Sequence, residues 1–384
     1  MVEWKKLGDV CKDVIVPMRD RPKVFDGTTP WCRIEDIEGM YFNKSLSGLM
    51  VSDSVIKQMN LKVFPTGTVI CSCSATLGVC AINTQPLITN QTFIGLVCSN
   101  QVNNRYLYYY MLTRKKELFS LSTTGTIPYV SRDKFEKMII PIPSISEQER
   151  IVSILDTFTS SIDNLKQQIA QRRKQYEYYR DQLLDLEGKE GVEMKYLLDV
   201  LAQPVTDGPH ETPSFYEDGI PFISADAIVD NKINFSRKRG YISEEYDLLC
   251  QKKYKPQLND IYLVKSGSTT GKVAIVKTDE RFNIWSPLAA IRVNQRNHPY
   301  FVYYMLQTKK VQDQVKLKSS QGSQPNLSMR VLEKFIIPVP PLSEQQRIVS
   351  ILDTFEASIQ NLEAQLAQRE KQYEYYRNKL LTFE

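Results

Sequence analysis

Apolar positions along the chain follow two periods, and the helical one is sustained longest. Between residues 144 and 187 they fall in alternating steps of three and four, at Leu155, Phe158, Ile162, Leu165, Ile169, Arg172, Tyr176, Tyr179, Leu183 and Leu186. This is an a/d heptad seam, broken only by Arg172, and it predicts a long helix that buries its stripe against another. The series returns between residues 341 and 384 as Leu352, Phe355, Ile359, Leu362, Leu366, Arg369, Tyr373, Tyr376, Leu380 and Phe383. Pro141 and Pro143 end the preceding strand. Ser146 with Glu149, matched by Ser343 with Gln346, then reads as a capping box, so each helix is predicted to begin at its serine. About 41 residues at 1.5 Å each make a rod of roughly 60 Å.

The two seams belong to a duplication. The 49 residues from Ile139 to Glu187 recur 197 positions later with 34 identities. The segments preceding each copy are related weakly: VEWKKLGDV at Val2 answers VEMKYLLDV at Val192, and RYLYYYML at Arg105 answers PYFVYYML at Pro299. The order is therefore lobe 1 (1–143), helix (144–187), lobe 2 (188–340), helix (341–384). Neither helix can bury its stripe alone, so the two are expected to pair antiparallel about a pseudo-twofold axis with one lobe at each end. Arg172 and Arg369 on the seam read either as snorkelling or Glu-paired guanidiniums, or as contacts to a further partner.

Within the lobes the period shortens. WCRIEDI, GTVICSCS, VCAIN, FIGLVC and KMIIPIP in lobe 1, and PFISADAI, DIYLVK, KVAIVK, SPLAAIRV and KFIIPVP in lobe 2, read as short strands in one order. YFVYYMLQTKKVQDQVKL reads as a helix before the last strand. The fold class predicted is α/β (α+β) lobes joined by a coiled coil of two long helices.

At 384 residues, with 42% hydrophobic and 24% charged, the chain suits two ordinary cores and is neither disordered nor fibrous. No run approaches a membrane span and no apolar stretch at the start resembles a signal peptide, which points to a soluble, cytoplasmic protein. Seven Cys, six of them between Cys11 and Cys98, make no disulfide framework. The net charge of +5 is carried by the lobes: residues 1–140 hold 17 Lys and Arg against 12 Asp and Glu, residues 188–337 hold 21 against 17, and both helices are acidic. Such a balance permits nucleic-acid binding without demanding it.

Polar loops between corresponding strands carry the candidate chemistry. In lobe 1 they offer Arg19, Arg21 and Lys23, then Ser72, Ser74 and Thr76, then Asn90 and Gln91, then Thr124, Thr126 and Tyr129. Lobe 2 offers His210 and Thr212, then Lys265, Ser266, Ser268, Thr269, Thr270 and Lys272, then Ser323, Gln324 and Asn326. Hydroxyls and glycines of this kind serve ordinary turns, yet beside basic side chains they are also the groups that contact phosphates and base edges. Catalytic motifs are missing. GSTTGKV at Gly267 has one residue too few between its glycines for a phosphate loop, and Cys71, Cys73 and Cys80 have no second Cys pair and read as core thiols rather than zinc ligands.

Pro-x-Pro-x-x-Ser-Glu-Gln-x-x-Ile, at Pro141–Ile151 and again at Pro338–Ile348, resembles the approach to each long helix in the specificity subunit of Type I restriction-modification systems, commonly called HsdS. The resemblance spans essentially the whole chain, and DGPHETP at Asp207 also looks like the opening of many recognition domains of that family, although lobe 1 has RDRPKVFDGTTP instead. It implies a non-catalytic adaptor that reads double-stranded DNA, each lobe taking one half of a bipartite target and the helices setting the spacer. It also implies two modification subunits that bind S-adenosylmethionine, restriction subunits that use ATP and Mg, and no cofactor in this chain. The competing expectation is a two-headed coiled-coil scaffold for proteins without DNA binding.

Overall fold

The computed structural model describes residues 2–123, 125–320 and 324–383. The chain divides into two compact units, one made of Met1–Lys166 with Ala364–Glu384 and the other of Gln167–Glu363. Each unit thus takes one lobe and part of each long helix.

In the first unit a five-stranded sheet runs in the order Cys11–Ile15, Phe93–Cys98, Val69–Ser72, Cys80–Asn83 and Tyr41–Phe42, antiparallel except for the last pair. A smaller mixed sheet holds Met50–Val51, Thr29–Cys32 and Ile88–Thr89. The second unit repeats the plan with a four-stranded sheet, Thr206–Asp207, Leu288–Ile291, Ile261–Val264 and Val273–Ile275. Its small sheet is Gly240–Ile242, Ile220–Ile223 and Asn283–Ile284. The central strands are buried on both faces, which is why they read as apolar runs rather than alternations.

Each lobe is tied to its helix by the same parts. Glu3–Lys6 pairs with Ile139–Ile142, and Glu193–Tyr196 with Ile336–Val339. The prolines of these strands are tolerated because the sheets have only two strands and every strand is an edge. The glutamine of the Ser-Glu-Gln motif then locks the corner. Gln148 accepts the Asn103 N–H at 2.8 Å and donates to the Pro143 carbonyl at 2.9 Å, and Gln345 does the same with His298 and Pro340 at the same distances. Both amides are buried. Tyr109 donates to Asp156 at 2.7 Å and Tyr304 to Asp353 at 2.5 Å, which makes Tyr304 rather than Tyr303 its counterpart and shifts the sequence alignment of these helices by one residue. Burial drives both phenols well above their ordinary pKa, so they stay protonated donors.

The long helices run Ile145–Leu183 and Leu342–Leu380. The first begins one residue before Ser146: Ser144 Oγ accepts the Glu147 N–H at 3.3 Å, so Ser144 is the cap and the apparent Ser146–Glu149 box lies inside the helix. In the second, Pro341 occupies that place. Within the first unit Phe158 stacks on Tyr376 at 5.3 Å and Lys166 meets Glu370; within the second Tyr179 stacks on Phe355 at 5.5 Å and Arg173 meets Glu363 at 2.6 Å. In both units the segments run antiparallel, and one Phe–Tyr contact is made twice with the helices exchanging roles. Arg369 lies over the Phe158 ring at 5.8 Å, a cation–π contact that accounts for a charge on the seam. The predicted helix 300–317 is broken into Pro299–Gln307 and Lys309–Lys318, because Thr308 leaves the helix to cap the second piece.

Candidate nucleic-acid interface

The polar loops of each lobe converge in pairs. In the first unit the loop after Val69–Ser72 binds the loop before Ile139: Ala75 N–H donates to Pro128 O at 3.0 Å, Val130 N–H to Cys73 O at 2.9 Å, and Thr123 N–H to Tyr129 O at 3.0 Å. Cys73 N–H also donates to Thr92 O at 2.8 Å, which brings the Asn90–Gln91 turn alongside. In the second unit the same bonds recur as Gly267 to Pro325 at 3.0 Å, Leu327 to Lys265 at 2.7 Å, Ser320 to Asn326 at 3.0 Å and Lys265 to Pro287 at 2.8 Å. Ala75 and Gly267 both have positive φ, 61° and 98°. Gly78 and Gly271 end the loops at φ of 85° and 98°, where a Cβ would lie 2.8 Å from the Lys115 side chain and 2.6 Å from Gln312. Two glycines identified by sequence are therefore fixed by backbone conformation and by helix approach together.

This shared frame presents different side chains. Thr76, Gln91, Thr126 and Tyr129 are exposed in the first unit, with Ser74 and Asn90 half-buried; Thr124 lies outside the described residues. Ser72 is placed otherwise than expected: it is buried, donates to Thr76 O at 2.5 Å and accepts from Val79 N at 3.1 Å, so it closes the loop instead of facing outward. In the second unit Ser268, Lys272, Gln324 and Asn326 are exposed, Ser266, Thr269 and Thr270 half-buried, and Ser323 is outside the described residues. Thr270 is spent on Gly267 O at 2.7 Å.

A third loop joins the pair. Asp207, 1% exposed, forms an ion pair with Lys265 at 3.3 Å and lies 3.1 Å from the His210 imidazole, and Lys253 also donates to it. Lys265 is itself only 11% exposed, so it serves as the partner of a buried carboxylate rather than as an open cation. Lys253 was not among the candidates, and no periodicity marks it; nor was the basic run Arg237–Lys238–Arg239, with both arginines exposed, whose charge alone would have shown it. Arg239 sits over Trp285 at 5.6 Å and Lys238 over Tyr241 at 4.6 Å.

The strand registers also find the lobe 1 counterpart of DGPHETP. Thr206 pairs with Ala290 as Ile15 pairs with Gly95, on strands that are themselves equivalent, so Asp207 corresponds to Val16. The run V16-P-M-R-D-R-P22 then answers D207-G-P-H-E-T-P213, with Pro22 and Pro213 both buried. Arg19 stands where His210 does, and Cys73 where Lys265 does. Arg19, Arg21 and Lys23 are exposed, and Arg21 packs over Trp31 at 5.2 Å. Cys71, Cys73 and Cys80 are buried core thiols, and no group of three metal-ligating side chains occurs among the described residues.

Comparison with known proteins agrees with this twofold plan. The sequence model of the "Type I restriction modification DNA specificity domain" matches residues 1–172 and again 208–370. The chain belongs to the Type I DNA specificity family. It is 32% identical over 299 residues to the Type I restriction enzyme EcoR124I/EcoR124II specificity subunit of Escherichia coli, covering 74% of this chain and 72% of that one. It is 26% identical over 386 residues to the MjaIX specificity subunit of Methanocaldococcus jannaschii, covering 93% and 87%. Among solved structures, the S subunit from M. genitalium shares the fold at a TM-score of 0.59 and 15% identity over 100% of this chain and 97% of that one. A structure from a study of assembly and conformational transition in the type I R-M system does so at 0.62 and 19%, covering 99% and 96%. As a Type I specificity chain this protein is a DNA-recognition subunit, not a catalytic one. No helix among its described residues is long and apolar enough to cross a membrane.

Proposed function

We propose that the chain directs a Type I modification and restriction assembly to an asymmetric bipartite DNA target, each lobe reading one half. The observation that carries this reading is the paired-loop frame, built by the same backbone bonds in both units yet dressed with different side chains. A scaffold would have no reason to keep the frame and vary only what it presents. The long helices set the nonspecific spacer. Two modification subunits supply S-adenosylmethionine and methyl transfer, and restriction subunits supply ATP- and Mg-dependent cleavage. Each unit exposes apolar residues on its two-stranded sheet, Trp4 and Ile139 in one, Met194, Tyr196 and Ile336 in the other. A surface carried twice suits two copies of one partner. The test is to map methylated adenines across the source genome with and without this chain. A bipartite motif that vanishes with the chain is expected; an unchanged methylation map, together with no salt-sensitive duplex binding by the assembly, would favour the scaffold.

A further inference from the structure

The Asp207 cluster has no equivalent in lobe 1, and its charge arithmetic is unusual. One buried carboxylate holds two ammonium groups, Lys253 and Lys265, and touches an imidazole, His210. Lys253 donates to one Asp oxygen, while the other accepts no hydrogen bond among the described residues and faces Lys265 and His210; two lysines against one carboxylate leave the cluster one surplus positive charge. What remains open to solvent is Lys253, 48% exposed, and His210, 71% exposed. Lys253 additionally donates to the Gly208 carbonyl at 3.2 Å, and Pro209 O accepts from Ser286 N at 3.2 Å, which pins the loop to the turn beside the paired-loop frame. Gly208 allows this: a Cβ there would lie 1.9 Å from the Ile284 carbonyl oxygen. In lobe 1 the corresponding positions are Val16, Pro17 and Cys73, all apolar, with Arg19 alone above them. A cationic group beside the paired loops is common to both lobes, but only lobe 2 builds it on a buried anion.

We propose that Lys253 and His210, positioned by Asp207 with Lys265 as its inner counter-ion, form a seat for one backbone phosphate of the half-site read by lobe 2. A seat with surplus charge, outward donors and its acceptor oxygens buried fits a full anion rather than the mixed donor and acceptor pattern of a base pair. Asp207 is a positioning residue: it does not face the DNA but fixes the cations that do. In lobe 1 Arg19 meets the backbone without such an anchor. The inference rests on the DNA-recognition reading above.

The test uses the chain assembled with its modification subunit and a duplex carrying the mapped target. Lys253→Met is expected to lower the slope of log Kd against log salt by about 0.9, so that the loss of affinity between 50 and 200 mM salt shrinks about 3-fold. Neutralising single phosphates with methylphosphonate is expected to weaken the wild type at one position in the lobe 2 half-site and to add nothing to Lys253→Met there. Asp207→Asn should remove the same position-specific effect. The double variant Asp207→Val with Lys265→Cys, which copies lobe 1, reports a folded lobe lacking the anchor, and it too should lose that effect. An unchanged salt slope in Lys253→Met, or a methylphosphonate loss that persists in it, overturns the seat, as does a loss confined to one base identity. Failure of the wild-type assembly to bind the duplex at all would overturn the DNA reading instead.

Discussion

Gln345 shows how much one buried amide can hold. It joins the His298 N–H, the Asn297 side chain and the Pro340 carbonyl at 2.8, 3.1 and 2.9 Å, so truncation leaves one buried and two part-buried groups without this partner. Gln345→Ala is expected to cost about 2–3 kcal/mol, read from the urea midpoint, whereas the exposed neighbour Gln346→Ala should stay within about 0.5. The thiols make a second residue-level case. Burial pushes Cys32 and Cys73 up to about 12, which disfavours the thiolate in the fold. Because the folded value is the higher, their contribution to stability is complete below about 9 and fades as pH rises from there towards 12. Iodoacetamide at pH 8 should label them only after unfolding; labelling in native buffer at the rate of a free thiol would contradict this. At this scale the sequence was a partial guide. It marked Lys265 and Ser72 as open groups because composition cannot tell a loop cation from the counter-ion of a buried Asp. It found no lobe 1 partner for DGPHETP because Asp→Val and Gly→Pro erase the motif while strand register preserves the position.

Among elements, the long helices were the most legible, since a heptad period sustained over five turns of the pattern has few other meanings. Their starting residue was not, because Ser146 and Glu149 imitate a capping box two residues beyond the serine that actually caps. The Phe158–Tyr376 stack can be measured by a double-mutant cycle to Ala, with a coupling of about 0.5–1.5 kcal/mol expected; zero coupling would reduce it to proximity. The central strands of both lobes were readable from apolar runs, but their order in the sheets and the edge strands Cys11–Ile15 and Thr206–Asp207 were not. The convergence of the loops between them was not, since it depends on backbone bonds such as Gly267 to Pro325 that no side-chain pattern encodes. If the helices set the spacer, a heptad inserted after both Gln168 and Gln365 keeps the seam and adds about 10 Å. The methylated motif should then keep its half-site bases and gain up to roughly three pairs of spacer, each pair rising about 3.4 Å. New half-site bases with the old spacer would show that the helices are not the measure.

For the molecule as a whole, the second unit is one unbroken stretch, residues 167–363, while the first is completed by residues 364–384. Leu381 joins Leu7 and Val10 in one core as Leu184 joins Leu197 and Val200 in the other, and Phe383 packs against the first. Joining residue 384 to residue 1 and reopening the chain near Lys189 is therefore expected to preserve folding and assembly with the modification subunit, checked by genome methylation. The division also fixes an order of events on the ribosome. The partner of Phe158 is Tyr376, more than half the chain later, and at 5–20 residues per second the intervening stretch takes about 10–40 s to emerge. For that interval the nascent first unit carries an uncovered aromatic seam, so residues 364–384 act as a closing clasp. A message cut short before them would release a chain whose second unit has all its parts and whose first is left open to chaperones and proteases.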